Sequence, residues 1–382
     1  MKNIVILGST GSVGRNSLDV IEKFKDRLNV LGLSANSNID LLLEQIERFN
    51  PKFVCISDKE RSFKFKSKLK RKDLKVFVGI EGLNEIVKEK SVDLIIVAIS
   101  GVSALFPLLE AIRAKKRIAL ANKEAMVMAG QLIMREAKEN DVKIIPVDSE
   151  ASAIQQCLEN RERDHLKKIY ITCSGGPLND IPLKRFKYII KRQVLAHPKW
   201  KMGKKISVDS ATLMNKGLEL IELMWLFDID TSKIEVVIHK ETIIHSMVEF
   251  CDGIILAQLA TPDMRLPIQY ALSSPERWSQ DHIQLDFSKF KSLTFSKPNL
   301  KKFPCLEIAM EIARLKGTYP CVLNASNEIA VRAFLDEGIG LTKIPQIIQK
   351  VLSKHKMIEN PNLDQLLEVD SWAREETKKL IG

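Results

Sequence analysis

The stretch NIVILGSTGSVGRNSLDVIEKF, Asn3 to Phe24, constrains this chain more than any other. A run of β-formers passes through Gly8, Gly11 and Gly14 into a segment whose apolar residues recur at helical spacing. A strand joined to a helix by a glycine-rich turn is the opening of a β-α-β unit. The pattern then repeats. NVLGLSA, KFVCIS, KVFVG, DLIIVAIS, KRIALA and KIIPVD read as short buried strands, with helices such as NIDLLLEQIERF, ALFPLLEAIRA and AGQLIMREAKEN between them. Near-continuous apolar strands alternating with helices predict a doubly wound parallel sheet covered on both faces, a Rossmann-like arrangement, over residues 1–150.

The chain of 382 residues exceeds one ordinary core, since domains average about 150 residues. From 151 the texture changes. KKIYITCSGGP, KIEVVIH and IILAQLA are strand-like, and NKGLELIELMWLF and MRLPIQYALS are helical, which predicts a second α/β domain with a smaller sheet over 151–273. Residues 274–299 lack long periodicity and carry Pro275 and Pro298, so they read as a connector. CLEIAMEIARLK, NASNEIAVRAFL, IPQIIQKVLSKH and SWAREETKKLI predict a helical C-terminal domain over 300–382.

Composition narrows the function classes. No apolar run reaches transmembrane length, and Met1-Lys2-Asn3 enters a strand without signal-peptide features, so a cytoplasmic protein off the membrane is expected. The six cysteines (Cys55, Cys157, Cys173, Cys251, Cys305 and Cys321) form no C-x-x-C pair and read as reduced thiols. The net charge of +11 includes the basic run Lys64 to Lys72, KFKSKLKRK, which lacks a nucleic-acid reading motif and few aromatics surround it. It reads as a solvated face, and no nucleic-acid partner is expected. A diffuse positive field still steers anionic substrates.

The spacing Gly8-x-x-Gly11-x-x-Gly14 departs by one residue from G-x-G-x-x-G. The physical argument survives: backbone approaches a phosphate closely, and the next helix presents free N–H groups and the positive end of its dipole. Ser9, Thr10 and Ser12 add hydroxyls. An ordinary turn that binds nothing is the plain alternative. At the end of the second strand an NAD site usually places an acid against the ribose, whereas this chain reads LSANSN, Ser34 to Asn38. With no carboxylate to repel a 2′-phosphate, NADP is favoured over NAD.

Two acidic groups invite a metal. IIPVDSEASAI ends a strand with Asp148-Ser149-Glu150, and in extended chain residues two apart point the same way. In VDSATLMNKGLELIELMW, Asn215 and Glu219 share a helix face at i,i+4, with Glu222 following at i,i+3; Lys216 stands near the helix start and Ser210 precedes it. Three converging carboxylates would suit Mg²⁺ or Mn²⁺. Spacing alone does not bring Asp148, Glu150 and Glu219 together, and surface acids with a capping Asp are its plainer reading. Between these groups Ser174-Gly175-Gly176-Pro177 reads as a turn and hinge. Trp200 and Met202 sit in a segment broken by Pro198 and Gly203, which either packs on its own domain or closes over a ligand.

The motifs GSTGSVG, LANKEA, PVDSE, SGGP, HPKWKMGKKISVDSATLMNKGLE, IHSMV and PDMRLPI occur in the order and spacing of the 1-deoxy-D-xylulose 5-phosphate reductoisomerase family, which the whole chain resembles. The resemblance implies an NADPH- and divalent-metal-dependent enzyme of the non-mevalonate isoprenoid pathway. It makes Asp148, Glu150 and Glu219 the metal ligands, for Mg²⁺ or Mn²⁺ with Co²⁺ a further candidate. Substrate contacts would be Lys123, Ser149, Glu150, Ser174, His197, Ser210, Asn215, Lys216 and Glu219, with Ser174, Ser210, Asn215 and Lys216 around the phosphate. Cofactor contacts would be Thr10, Gly11, Ser12, Val13, Ser37, Asn38, Asn122, Glu124 and Gly203, and Trp200 and Met202 would form a flexible flap within 174–204. Lys123 would stabilise charge on the reacting oxygens and Glu150 assist proton transfer. The resemblance also implies a homodimer inhibited by the substrate mimic fosmidomycin.

One departure concerns the cofactor: many members have Gly-Lys-Asn or Gly-Arg-Asn where this chain has Asn36-Ser37-Asn38, which weakens contact with the 2′-phosphate. The competing enzyme reading is another NADP-dependent dehydrogenase, of the semialdehyde or homoserine type. A semialdehyde dehydrogenase needs an activated cysteine, for which Cys173 is the one candidate.

Overall fold

The computed structural model describes residues 1–196, 203–279 and 283–382. Two compact units emerge: residues 1–125, 133–152 and 263–281, and residues 126–132, 153–262 and 282–382.

The first unit is built on seven strands: β1 (Lys2–Leu7), β2 (Leu28–Ala35), β3 (Phe53–Ile56), β4 (Lys75–Val78), β5 (Leu94–Val97), β6 (Arg117–Leu120) and β7 (Ile144–Pro146). All pair in parallel, in the order β4-β3-β2-β1-β5-β6-β7. The helices between them are α1 (Ser12–Lys23), α2 (Ile39–Phe49), α3 (Lys59–Lys68), α4 (Gly79–Lys88), α5 (Leu105–Arg113) and α6 (Lys123–Glu139). Strands β3 and β5 are buried at every position, as two covered faces require. The order reverses beside β1, where the crevice past the strand ends receives ligands in such sheets. The expected doubly wound sheet is therefore present, with the glycine turn at its switch point.

The chain continues through α7 (Ser149–Leu158) to β8 (Leu166–Cys173), then α8 (Lys191–Leu195), α9 (Lys204–Ala211) and α10 (Met214–Phe227). Strands β9 (Ile234–Ile238), β10 (Ile244–Phe250) and β11 (Ile255–Leu259) join β8 in a four-stranded sheet ordered β11-β10-β8-β9. Only β8 and β9 pair in parallel; β10 runs against both neighbours. Helix α11 (Arg265–Ser273) follows, and then α12 (Pro304–Leu315), α13 (Tyr319–Leu335), α14 (Lys343–Lys354) and α15 (Leu363–Ile381). The smaller sheet and the helical C-terminal region both match expectation.

The grouping of segments differs from a split at 273. Helix α11 packs with the first unit: Lys2 Nζ donates to the Leu272 carbonyl at 3.1 Å, and Ile268, Ala271 and Leu272 enter its core. An apolar helix reads the same whichever core receives it, so sequence continuity assigned α11 to its neighbours in the chain. The connector is irregular, and Ser296 forms an isolated antiparallel bridge to Ile238.

Candidate active site

The glycine turn is held by sterics. Gly8 has φ of +88°, and a Cβ there would lie 2.6 Å from the Ala98 carbonyl oxygen. A Cβ on Gly14 would lie 2.3 Å from the Gly8 oxygen, so the first turn of α1 sits directly on the loop. Gly11 is the N-cap of α1 and supplies no side-chain cap to the first amides of the helix. Thr10 and Val13 are half-buried and Gly11 and Ser12 exposed. Ser9 departs from expectation: its buried hydroxyl donates to Gln45 Oε1 at 2.7 Å and its amide to the Ser34 carbonyl at 2.8 Å. It fastens the turn to β2 and α2 instead of facing a ligand. Ser34 does the same from the other side, its Oγ accepting from the Gly8 amide at 2.9 Å. Ser37 and Asn38 are exposed, and Asn38 Oδ1 also caps α2 by accepting from the Leu41 amide at 3.3 Å.

Helix α6 begins at the strand ends with Asn122 as its cap. Asn122 Oδ1 accepts from the Ala125 amide at 2.7 Å, while its Nδ2 donates to the carbonyls of Ile99 and Gly101 at 2.7 and 2.9 Å. Both amide hydrogens are thus committed to holding the β6–α6 turn. This fixes Lys123, which is 6% exposed and places Nζ 2.7 Å from Asp148 Oδ2. Glu124 follows, half-buried, in the first turn.

Asp148-Ser149-Glu150 does not lie in extended chain. Strand β7 stops at Pro146, and the Asp148 carbonyl already accepts from the Ser152 amide at 2.9 Å. Asp148 therefore stands at the N-cap of α7 and Glu150 in its first turn, where acids favour the helix dipole. Ser149 Oγ donates to Glu150 Oε2 at 2.5 Å. Strand alternation gave the wrong reason for the two carboxylates; a helix start beginning at a strand end is what aims them.

In the second unit, Gly175 and Gly176 carry φ of +83° and +68°, and Ser174 Oγ accepts from the Gly176 amide at 3.2 Å. A Cβ on Gly176 would sit 2.5 Å from the Ser210 carbonyl oxygen, so the Ser174 turn rests against the end of α9. Lys302 Nζ also donates to the Asn179 carbonyl at 2.5 Å, pinning the segment expected to hinge. Gly203 is exposed at the N-cap of α9, and Ser210 is half-buried near its other end. Leu213, at φ +57°, turns the chain into α10. There Asn215 Nδ2 donates to Glu219 Oε1 and Lys216 Nζ to Glu219 Oε2, both at 2.5 Å, with Lys216 and Glu219 3% and 2% exposed.

Asp148, Glu150 and Glu219 each offer one carboxylate oxygen, and the three oxygens lie within 4.8 Å of one another. An all-oxygen set of this kind fits a hard divalent cation. His197, Trp200 and Met202 lie outside the described residues. His245 lies in the IHSMV motif. It is buried, its ring nitrogen lies 3.3 Å from the Ala260 carbonyl, and burial followed by the charge of Lys216 lowers its pKa to about 4. The signal in the sequence was a histidine at a strand start, which carries no meaning until the fold brings it near Lys216.

A doubly wound sheet with a glycine turn at its switch point, together with three acids able to hold a cation, fits a dinucleotide-dependent, divalent-metal class of enzyme. Three family profiles match the chain: 1-deoxy-D-xylulose 5-phosphate reductoisomerase over residues 4–130, the C-terminal domain of that enzyme over 144–227, and the DXP reductoisomerase C-terminal domain over 259–376. The 1-deoxy-D-xylulose 5-phosphate reductoisomerase of Thermoanaerobacter pseudethanolicus is 46% identical over 99% of each chain. The Zymomonas mobilis enzyme, solved with NADPH, superposes with a TM-score of 0.93 at 39% identity, covering 100% of this chain and 99% of that one. A DOX-P reductoisomerase solved with NADPH, fosmidomycin and magnesium gives the same TM-score and identity, covering 100% and 98%. The chain belongs to the 1-deoxy-D-xylulose 5-phosphate reductoisomerase family. A semialdehyde or homoserine dehydrogenase is accordingly not favoured. Among the cysteines, burial pushes the Cys55 and Cys305 thiols up to about 12 and Cys157 to about 11, the reverse of an activated nucleophile.

Proposed function

We propose that this chain converts 1-deoxy-D-xylulose 5-phosphate to 2-C-methyl-D-erythritol 4-phosphate, using NADPH and a divalent cation, in non-mevalonate isoprenoid biosynthesis. The observation that carries the reading is the meeting of Asp148, Glu150 and Glu219 within 4.8 Å. These three would hold Mg²⁺ or Mn²⁺, with Co²⁺ also admissible to oxygen donors. When bound, such a cation polarises a carbonyl and acidifies a neighbouring hydroxyl, and NADPH supplies the hydride equivalent.

The protein's own residues do the rest. Lys123 holds positive charge against Asp148 and remains beside oxygens that gain negative charge. Glu150 accepts or returns a proton, with Ser149 orienting its carboxylate. Ser174, Ser210, Asn215 and Lys216 receive the substrate phosphate, whose remote binding holds the reacting carbons in place. His197 contacts substrate, and Trp200 and Met202 close over it and exclude water. Thr10, Gly11, Ser12 and Val13 cradle the cofactor pyrophosphate; Ser37 and Asn38 face the 2′-phosphate end, and Asn122, Glu124 and Gly203 complete the cofactor's surroundings. The first unit is thus the NADPH-binding part. It also supplies Lys123, Asp148 and Glu150, while the second supplies Glu219 and the phosphate contacts, with residues 174–204 as flap, 274–299 as connector and 300–382 as helical support.

The working form is a homodimer. Supporting this, β11 is an edge strand whose residues are half-exposed or exposed, with Ile255 at 48% and Ile254, just before the strand, at 58%. The protein works in the cytoplasm, in keeping with six unbridged cysteines; among the described residues no helix is long and apolar enough to cross a membrane.

The test is spectrophotometric. The purified chain, given the sugar phosphate and Mg²⁺ or Mn²⁺, should oxidise NADPH; EDTA and fosmidomycin should each stop it. Turnover that persists in EDTA contradicts the reading.

A further inference from the structure

Asp209 immediately precedes Ser210 on α9 and is 1% exposed. A carboxylate so deep is costly unless both oxygens are satisfied. Lys205 Nζ, one turn earlier on the same helix, lies 2.9 Å from Oδ2. Asn327 Nδ2, from the middle of α13 and 118 residues further along the chain, donates to Oδ1 at 2.9 Å. Asn327 is fully buried, and asparagine is a poor helix-interior residue because its amide competes with the backbone. Apolar residues would pack α9 on α13 with less penalty, so a buried polar pin fixes something that apolar packing leaves loose.

What it fixes is the rotation of α9. At the end of that helix the Ser210 carbonyl is in contact range of Gly176, whose Cβ would intrude to 2.5 Å. At the other end, Gly203 opens the helix directly after the segment that carries His197, Trp200 and Met202. A small rotation of α9 would swing Ser210 away from the Ser174 turn. We infer that Asp209 and Asn327 are positioning residues for phosphate binding: their hydrogen bond between α9 and α13 sets the direction in which Ser210 faces. This rests on the reading of Ser210 as a phosphate contact.

Steady-state kinetics on the full chain tests it. Asn327→Ala should raise KM for the sugar phosphate roughly tenfold, the usual worth of one hydrogen bond to a buried charge, and weaken inhibition by inorganic phosphate in parallel. Both kcat and KM for NADPH should stay within about threefold of wild type. The exchange Asp209→Asn with Asn327→Asp, which keeps an amide–carboxylate bond between the same helices, should recover most of the loss. Val322→Ala, a buried α13 substitution away from the pin, controls for plain destabilisation and should lower Tm without moving KM. Should Asn327→Ala fail to fold, Asn327→Ser takes its place. Equal effects of Val322→Ala and the Asn327 variant on KM, or a rise confined to NADPH, overturn the inference while leaving the proposed activity intact. Wild-type protein without metal-dependent turnover overturns both.

Discussion

Two buried lysines pair with candidate metal carboxylates, and they are held in opposite ways. Lys216 pairs with Glu219 within one helical turn, and Asn215 supports the same carboxylate from one residue away. Lys123 pairs with Asp148 across 25 positions, at the meeting of two helix starts that follow separate strands. The first pair exists wherever α10 forms. The second exists only when β6 and β7 lie side by side, so it depends on the whole sheet. The two pairs keep their ammonium groups in place by different means, and substitutions should separate them.

The largest contrast is kinetic. Lys123→Ala should cut kcat by roughly 100- to 1000-fold, the range for removing a charge-stabilising donor, with KM for NADPH nearly unchanged. Equal losses in turnover and cofactor binding would contradict its assignment. Lys216→Ala should act first on KM for the sugar phosphate. It also removes the buried ammonium paired with Glu219, a loss of about 3 kcal/mol in unfolding free energy, seen by denaturant titration of the metal-free chain. A Lys216 variant as stable as wild type would show that the local pair carries no strain when broken.

His245 sharpens the same comparison through pH. Its folded pKa of about 4 lies below the usual 6.5, so the unfolded chain binds its proton first as pH falls. Its contribution to stability is complete above pH 6.5 and is lost on the way down to about 4, by up to roughly 3 kcal/mol. His245→Asn should flatten stability between pH 6.5 and 4.5, measured by urea unfolding at both values. The smallest effect concerns the cofactor. Ser37→Lys, which adds a cation at an exposed position, should raise preference for NADPH over NADH by about fivefold, the worth of a surface ion pair.

The sequence revealed what was local. The glycine turn, the i,i+4 spacing of Asn215 and Glu219, and the alternation of strands with helices all follow from short-range geometry. Asp148 and Glu150 are legible as an acidic pair, but strand alternation is the mistaken local reason for it, because a strand end and a helix cap are written with the same residues. Ser9 looked like a phosphate donor because nothing in the sequence announces Gln45 as its partner. His245, the Asp209–Asn327 bond and the docking of α11 on the first unit are long-range facts, and a single chain written in order does not display them.

The central claim is that Asp148, Glu150 and Glu219 hold one cation. Titrating the purified chain with Mn²⁺ and following free ion by electron paramagnetic resonance tests it directly. One tight Mn²⁺ per chain in wild type, weakened more than about 100-fold in Glu219→Gln, is the result expected. Equal binding by the wild type and Glu219→Gln would contradict the account.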